Sequence, residues 1–236
     1  MIILALLVSY TLPLVIYFWL RSLKPTPEYR RTCRTLLLRG LLVVLGVCLF
    51  SATASLLWNL SGAKKISPLL NAAFRTFVVA SLSEETVKLY MAFRKVKKSG
   101  EPISWFDITI YVTILGISFT LIEDFVYLFE SSIGHVLVRG LMPLHVYYSM
   151  MMGWYVGKSL YTGKKRYAVI GFVVPWFLHG LYDFSIAEEF LALNDNLVFV
   201  PFLVIFVSMI IGIRMIIKIL KAKKDERFLA PLFGEK

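Results

Sequence analysis

Seven long apolar runs follow one another along the 236-residue chain, and short polar segments connect them. Each run could cross the ~30 Å hydrocarbon layer of a membrane as a helix that rises ~1.5 Å per residue. With 58% hydrophobic and only 17% charged residues, the chain is too apolar for a water-soluble domain. The sequence therefore predicts an all-α, polytopic membrane protein, a single integral domain over residues 1–236. About seven transmembrane helices are expected, at approximately 2–21, 35–59, 67–93, 104–130, 136–161, 167–187 and 196–220.

Basic residues are concentrated in alternate connections between these runs, and this pattern predicts the orientation of the chain. The connections at 21–34, 94–98 and 164–166 and the C-terminal tail are basic, whereas 188–195 is acidic. Since cytoplasmic loops are enriched in Lys and Arg, we expect the N-terminus outside and the C-terminus in the cytoplasm. Topology and anionic lipid then explain the net charge of +11, without a nucleic-acid partner. Four further arginines near helix ends are expected to extend to the headgroups: Arg39, Arg75, Arg139 and Arg214.

The third apolar run carries three charges within the sequence "EETVK". A charge near the centre of a bilayer costs roughly 2.5–3.5 kcal/mol on insertion scales, so this cluster requires a reason. Lys88 follows Glu84 by four residues and Glu85 by three, so in a helix it can pair with either carboxylate. One such pair leaves the other glutamate without a cation. The pair alone could be a structural ion pair in the protein interior.

The next three apolar runs also contain carboxylates or histidines, so four successive predicted helices contribute polar side chains. They are Glu123 and Asp124, with Phe119 and Tyr127 one turn away, then His145, and finally His179 and Asp183 on one helix face. Taken singly, each could be an interhelical hydrogen-bond partner or lie near the headgroups. Gathered in apolar surroundings, intramembrane carboxylates and histidines indicate a functional site. The chemistry that they suit is hydrolysis, in which a carboxylate takes a proton from water.

These motifs, in this order, resemble those of the PrsW family of intramembrane proteases, over about residues 67–187. The matches are E-E-x-x-K (Glu84, Glu85, Lys88), F-x-x-x-E (Phe119, Glu123), a single histidine in the next helix (His145) and H-x-x-x-D (His179, Asp183). One difference is that Asp124 stands where the family usually has asparagine.

The resemblance implies an endopeptidase that cleaves a membrane-anchored protein, such as an anti-sigma factor, in the plasma membrane of a prokaryotic cell. It also relates the chain to the CAAX prenyl endopeptidases, and by analogy with them Glu84 would be the general base. The analogy implies further roles for the other motif residues: assistance by Glu123, oxyanion stabilisation by His179 and Asp183, and a structural pair of Glu85 and Lys88.

The sequence leaves open whether a glutamate alone or a metal ion activates the water. If Zn²⁺ is bound, its ligands would come from separate helices, since the H-E-x-x-H spacing is absent. The candidate ligands are Glu84, Glu123, His145 and His179. The site is rich in carboxylates, which can share a proton where the dielectric constant is low. We therefore favour a glutamate mechanism without a cofactor.

Two functions from other classes stay open on the sequence. A proton- or cation-coupled transporter would use the same carboxylates and histidines, but such proteins usually contain repeated halves with broken helices, and none is visible here. A non-catalytic membrane scaffold is also known in the same superfamily. It lacks the glutamate pair that this chain has at Glu84 and Glu85.

Overall fold

A computed structural model describes residues 2–24, 26–97, 103–130, 139–229 and 232 of the chain. Within these ranges the regular structure is helical, and no strand occurs. The main helices are α1 (Ile2–Ser22), α2 (Pro27–Leu38), α3 (Gly40–Leu60), α4 (Pro68–Phe74), α5 (Ser83–Lys97), α6 (Trp105–Glu130), α7 (Leu144–Thr162), α8 (Lys165–Ser185) and α9 (Phe199–Ala222). A π-helical segment, Arg75–Leu82, joins α4 to α5. Short helical turns lie at Ala63–Lys65, Glu188–Leu191, Asp195–Val198 and Glu226–Leu229.

Five helical segments among the described residues are long and apolar enough to cross a membrane. They are Leu4–Ser22, Pro27–Leu60, Trp105–Phe129, Lys165–Ser185 and Asp195–Ala222, and they coincide with five of the predicted runs. The other two predicted runs form the continuous helix 68–97 and α7, which carry several of the polar candidate residues. The all-helical fold is therefore confirmed, whereas seven membrane crossings and the orientation of the termini remain predictions.

Two helices begin at residues other than those predicted. The predicted run 35–59 forms the end of α2 and most of α3, and α2 begins at Pro27, because Thr26 caps it by accepting a hydrogen bond from the Tyr29 backbone N–H and proline suits the first helical turn. The helix predicted from 136 begins as α7 at Leu144, directly after Pro143. Residues 139–141 form a separate helical turn, and 136–138 lie outside the described residues.

The central helix is α6, which places its polar residues in the protein interior. In its most apolar stretch 89% of the residues are buried, against 17–33% in the other four candidate spans. Its closest partner is α7, which is buried over most of its length from Leu144 to Gly157. A Cβ atom at Gly116 of α6 would lie 2.2 Å from Ser149 Oγ and 2.9 Å from the carbonyl oxygen of His145. The two helices thus pack almost backbone to backbone beside His145.

Candidate active site

The π-helical segment ends directly before the two glutamates of α5. Such segments have a wider turn than an α-helix and occur frequently at functional sites. This one is anchored to α8, because Ser81 Oγ donates to the Trp176 carbonyl (2.5 Å) and Trp176 Nε1 donates to the Phe77 carbonyl (2.7 Å). Both Glu84 and Glu85 face the interior, with exposed fractions of 7% and 0%. No feature of the sequence identifies this change of helix type.

Glu85 is the glutamate that pairs with Lys88. The Lys88 ammonium donates to Glu85 Oε1 at 2.7 Å, and neither side chain has any exposed surface. The ring centroid of Phe119 lies 4.8 Å from Lys88 Nζ and adds a cation–π contact. The pair that the motif analogy implied is therefore formed, in an apolar setting to which Phe119 contributes.

His179 lies between two carboxylates. Its Nδ1 is 3.0 Å from Glu85 Oε1, and its Nε2 is 3.2 Å from Asp183 Oδ2, one turn further along α8. Because each ring nitrogen faces a carboxylate oxygen, contacts on both sides fix the plane of the imidazole. Glu85 is therefore shared between Lys88 and His179, a wider role than the structural pair that the sequence suggested.

One ring nitrogen of His145 contacts Glu123, and the other contacts Lys88. Its Nε2 lies 2.7 Å from Glu123 Oε2, and its Nδ1 lies 3.4 Å from Lys88 Nζ. A carboxylate only accepts hydrogen bonds and an ammonium only donates them. The proton of His145 therefore belongs on Nε2, and Nδ1 keeps its lone pair. The Phe119 ring meets the imidazole edge-on at 5.2 Å.

Among the described site residues, Glu84 is the carboxylate that forms no hydrogen bond, whereas Glu85 and Asp124 each bind through one oxygen and leave the other, Oε2 and Oδ2, without a partner. Glu84 Oε2 is buried and accepts no hydrogen bond from the described residues. The same oxygen lies 3.8 Å from both His145 Nδ1 and His179 Nε2, which is beyond hydrogen-bonding distance. A buried polar atom without a partner is destabilising, so this position suits a water molecule, a cation or a substrate group.

A cavity of about 70 Å³ opens beside Glu84. It has room for a few water molecules. Carboxylates, histidines and tyrosines converge on it, including Glu84, Glu123, His145, His179, Asp183 and Tyr127. The cavity therefore brings together residues from all four helices that the sequence had singled out.

The prediction that the side chain of Arg139 extends to the headgroups is wrong. The guanidinium instead binds two adjacent carboxylates, with Nη2 2.5 Å from Glu123 Oε2 and Nε 2.9 Å from Asp124 Oδ1. Only 12% of the side chain is exposed, and the Tyr127 ring centroid lies 4.4 Å from its Cζ atom. A signal was available in the sequence, because Arg139 is the one Lys or Arg between the Glu123–Asp124 pair and Lys158.

The four residues best placed to hold a metal ion are Glu84, Glu85, His145 and His179. One ligand atom from each lies within 4.8 Å of all the others, and all four residues are buried. Two imidazole nitrogens and two carboxylate oxygens are a donor set that zinc accepts, and the orphaned Glu84 oxygen lies among them. The predicted ligand set included Glu123 in place of Glu85. Glu123 instead contacts the other nitrogen of His145, as carboxylates beside metal-binding histidines often do.

Comparisons with known proteins agree with the motifs. A family model described as "PrsW family intramembrane metalloprotease" matches residues 29–213. Protease PrsW of Geobacillus kaustophilus is 31% identical over 121 residues, which cover 50% of this chain and 54% of the relative. Protease PrsW of Clostridioides difficile is 32% identical over 125 residues, 49% of this chain and 52% of the relative.

These alignments span about half the length of the curated relatives. No solved structure gives a significant match. The family model, however, covers most of this chain, including every helix that contributes to the cavity. The chain therefore belongs to the PrsW family.

Proposed function

We propose that this protein is an endopeptidase that cleaves a membrane-anchored protein, for which an anti-sigma factor is one candidate. The observation that carries the proposal is the buried Glu84 oxygen without a partner, beside a cavity of water size and two histidines. Peptide hydrolysis needs a water molecule, a group that takes its proton and donors for the developing oxyanion. Membership of the PrsW family supports this reaction, and the bacterial relatives support a prokaryotic plasma membrane.

In the proposed mechanism, Glu84 is the general base. Its free Oε2 accepts a proton from a water molecule in the cavity while the water oxygen attacks the scissile carbonyl carbon. His179 stays on Glu85 through Nδ1, and its Nε2–H, which faces Asp183 in the free protein, turns to the carbonyl oxygen and donates a hydrogen bond as negative charge develops there. The C–N bond then breaks, and the proton on Glu84 passes to the leaving amine.

Two observations bear differently on a metal ion. The description of the family as metalloproteases and the cluster of four possible ligand residues favour one, which Glu84, Glu85, His145 and His179 would hold. When bound, such an ion would polarise the carbonyl and make water a stronger nucleophile. Against it, the Lys88 ammonium contacts Glu85 Oε1 and His145 Nδ1, which belong to two of the four residues, and would repel a cation held nearby. We therefore keep the glutamate mechanism as the proposal and the metal-dependent one as the second candidate.

The test is a cleavage assay with purified protein in liposomes that also contain candidate single-pass membrane proteins. We expect the wild type to give a product of defined length and Glu84→Gln to give none at the same folded yield. Glu28→Gln is the matched control, because Glu28 is exposed at the start of α2. Cleavage by Glu84→Gln at the wild-type rate would refute the assignment of the base. Cation flux without cleavage would instead support the transporter.

A further inference from the structure

Arg139 connects the segment that precedes α7 to the polar C-terminal part of α6. It lies five residues before Leu144, the first residue of α7, and reaches across to two side chains of α6. Because a guanidinium is a rigid planar donor, two contacts of this kind fix both the distance and the angle between the groups that it joins. The short segment between Arg139 and His145 is thereby held against Glu123.

The contacts of Arg139 and His145 meet on one atom. Glu123 Oε2 accepts from Arg139 Nη2 and also from His145 Nε2, at 2.5 Å and 2.7 Å. Rotation of the Glu123 carboxylate would break both contacts. By binding Glu123 Oε2, the Arg139 guanidinium therefore holds in place the oxygen that accepts from His145. This oxygen determines that the proton of His145 is on Nε2. Through that tautomer Arg139 also leaves the Nδ1 lone pair to accept from Lys88, on the nitrogen that lies 3.8 Å from Glu84 Oε2.

We propose that Arg139 is a positioning residue of the active site, which orients His145 through Glu123 and has Asp124 as its second anchor. The inference rests on the proposed protease function for its effect on turnover, but its effect on His145 can be measured separately. Asp124 has no contact with His145 or His179 in the described structure, and Arg139 is the cation that binds its buried Oδ1. An aspartate at this position supplies the charged partner that an asparagine would lack.

The first readout does not depend on catalysis. The chain contains three histidines, so ¹⁵N-labelled imidazoles give few signals, and His145→Gln identifies those of His145. We expect the wild type to show His145 protonated on Nε2 and Arg139→Gln to shift the His145 signals. Arg214→Gln, which changes an exposed arginine of α9, should leave them in place.

The second readout is the kinetics of cleavage. Loss of a side chain that orients a functional histidine typically lowers activity about 10- to 100-fold, and we expect this loss in kcat for Arg139→Gln with little change in KM. Arg139→Lys should recover part of kcat, because lysine keeps the positive charge but lacks the planar guanidinium that binds two carboxylates at once. Asp124→Asn keeps the Glu123 contact and should lose less than Arg139→Gln. In the double variant Arg139→Gln with Glu123→Gln, the two losses should not add.

The outcomes separate the two proposals. Unchanged His145 signals in folded Arg139→Gln would overturn the positioning role, whatever the activity. The positioning role would also be overturned if Arg139→Gln and Arg139→Lys lost turnover equally and in proportion to the loss of folded protein. That result would indicate a structural role for Arg139. A wild type that cleaves no substrate would count against the protease function alone, because the spectra would still test Arg139.

Discussion

Two adjacent glutamates of the same helix have different environments, and this difference decides what each can do. Glu85 is engaged on one oxygen by the Lys88 ammonium and by His179, at 2.7 Å and 3.0 Å. Glu84 presents an oxygen to the cavity that accepts no hydrogen bond from the described residues. Burial alone does not distinguish them, since both are almost fully enclosed. The two glutamates differ in their hydrogen-bond partners, so mutation of those partners can test the difference.

Removal of Lys88 should destabilise the protein strongly. In Lys88→Met the Glu85 carboxylate remains buried without its ammonium partner, and the loss of one member of a buried ion pair typically costs about 3–5 kcal/mol. Thermal unfolding in detergent measures the effect, with Lys64→Met as the control, since Lys64 is exposed. The double variant Glu85→Gln with Lys88→Met should recover part of the loss. Equal stability of Lys88→Met and the wild type would contradict the ion pair.

Metal content separates the two candidate mechanisms at the same residues. On the glutamate mechanism, purified active protein should retain its activity after treatment with a chelator, because Glu84 accepts the proton without help. Elemental analysis before and after chelation, together with the cleavage assay, makes the comparison. Stoichiometric zinc that is lost together with activity, and restored together with it, would establish the metal-dependent candidate instead. In that case, Glu85→Gln and His179→Ala should lower the zinc content as well.

At the scale of helices, the close approach of α6 and α7 sets the position of His145. Gly116→Ala would place a methyl group 2.2 Å from Ser149 Oγ and 2.9 Å from the backbone oxygen of His145, so α7 must shift. Overpacking of this kind typically costs about 1–3 kcal/mol. We expect both a lower unfolding temperature and a loss of cleavage activity. Ala52→Val adds bulk at an exposed position of α3 and should change neither.

Some helix features could be predicted from the sequence and others could not. Length and apolar composition predict where the long apolar helices lie, because each signal lies within one continuous stretch. The predicted start of α7 is too early, because the apolar run continues through Pro143. Proline has no backbone N–H to donate within a helix, and apolar composition does not reveal this. The π-helical segment before Glu84 was missed, because its side chains fit an α-helix equally well and packing against α8 decides its geometry.

At the scale of the whole molecule, the order of the motifs predicted which helices would meet but not which atoms. The pairings of Glu85 with His179 and of Glu123 with Arg139 join residues far apart in sequence. Such pairings depend on the rotation and depth of each helix, which hydrophobicity sets only coarsely. Spacing within one helix was more informative, as the contacts of Lys88 with Glu85 and of His179 with Asp183 show.

The site residues of three helices lie at one end of the molecule. Glu123 is in the C-terminal part of α6, His145 is in the first turn of α7, and Asp183 is in the last turn of α8. These ends lead into the connection 131–143 and the acidic segment 188–195, whereas the opposite ends adjoin the basic connections 94–98 and 164–166. If cytoplasmic loops are the basic ones, the cavity lies towards the outer face of the membrane.

Cysteine labelling tests this orientation. After Cys33 and Cys48 are replaced by serine, a membrane-impermeant maleimide added to intact cells should label Ala192→Cys, which is exposed beside the site. Arg94→Cys and Lys224→Cys should react only after the membrane is permeabilised, because positive charge retains their segments in the cytoplasm. Labelling of Arg94→Cys in intact cells would reverse the orientation and place the cavity towards the cytoplasm. The side of the membrane on which a substrate is cut would reverse together with this orientation. The same experiment therefore determines whether the outer or the cytoplasmic part of a membrane-anchored substrate can reach Glu84.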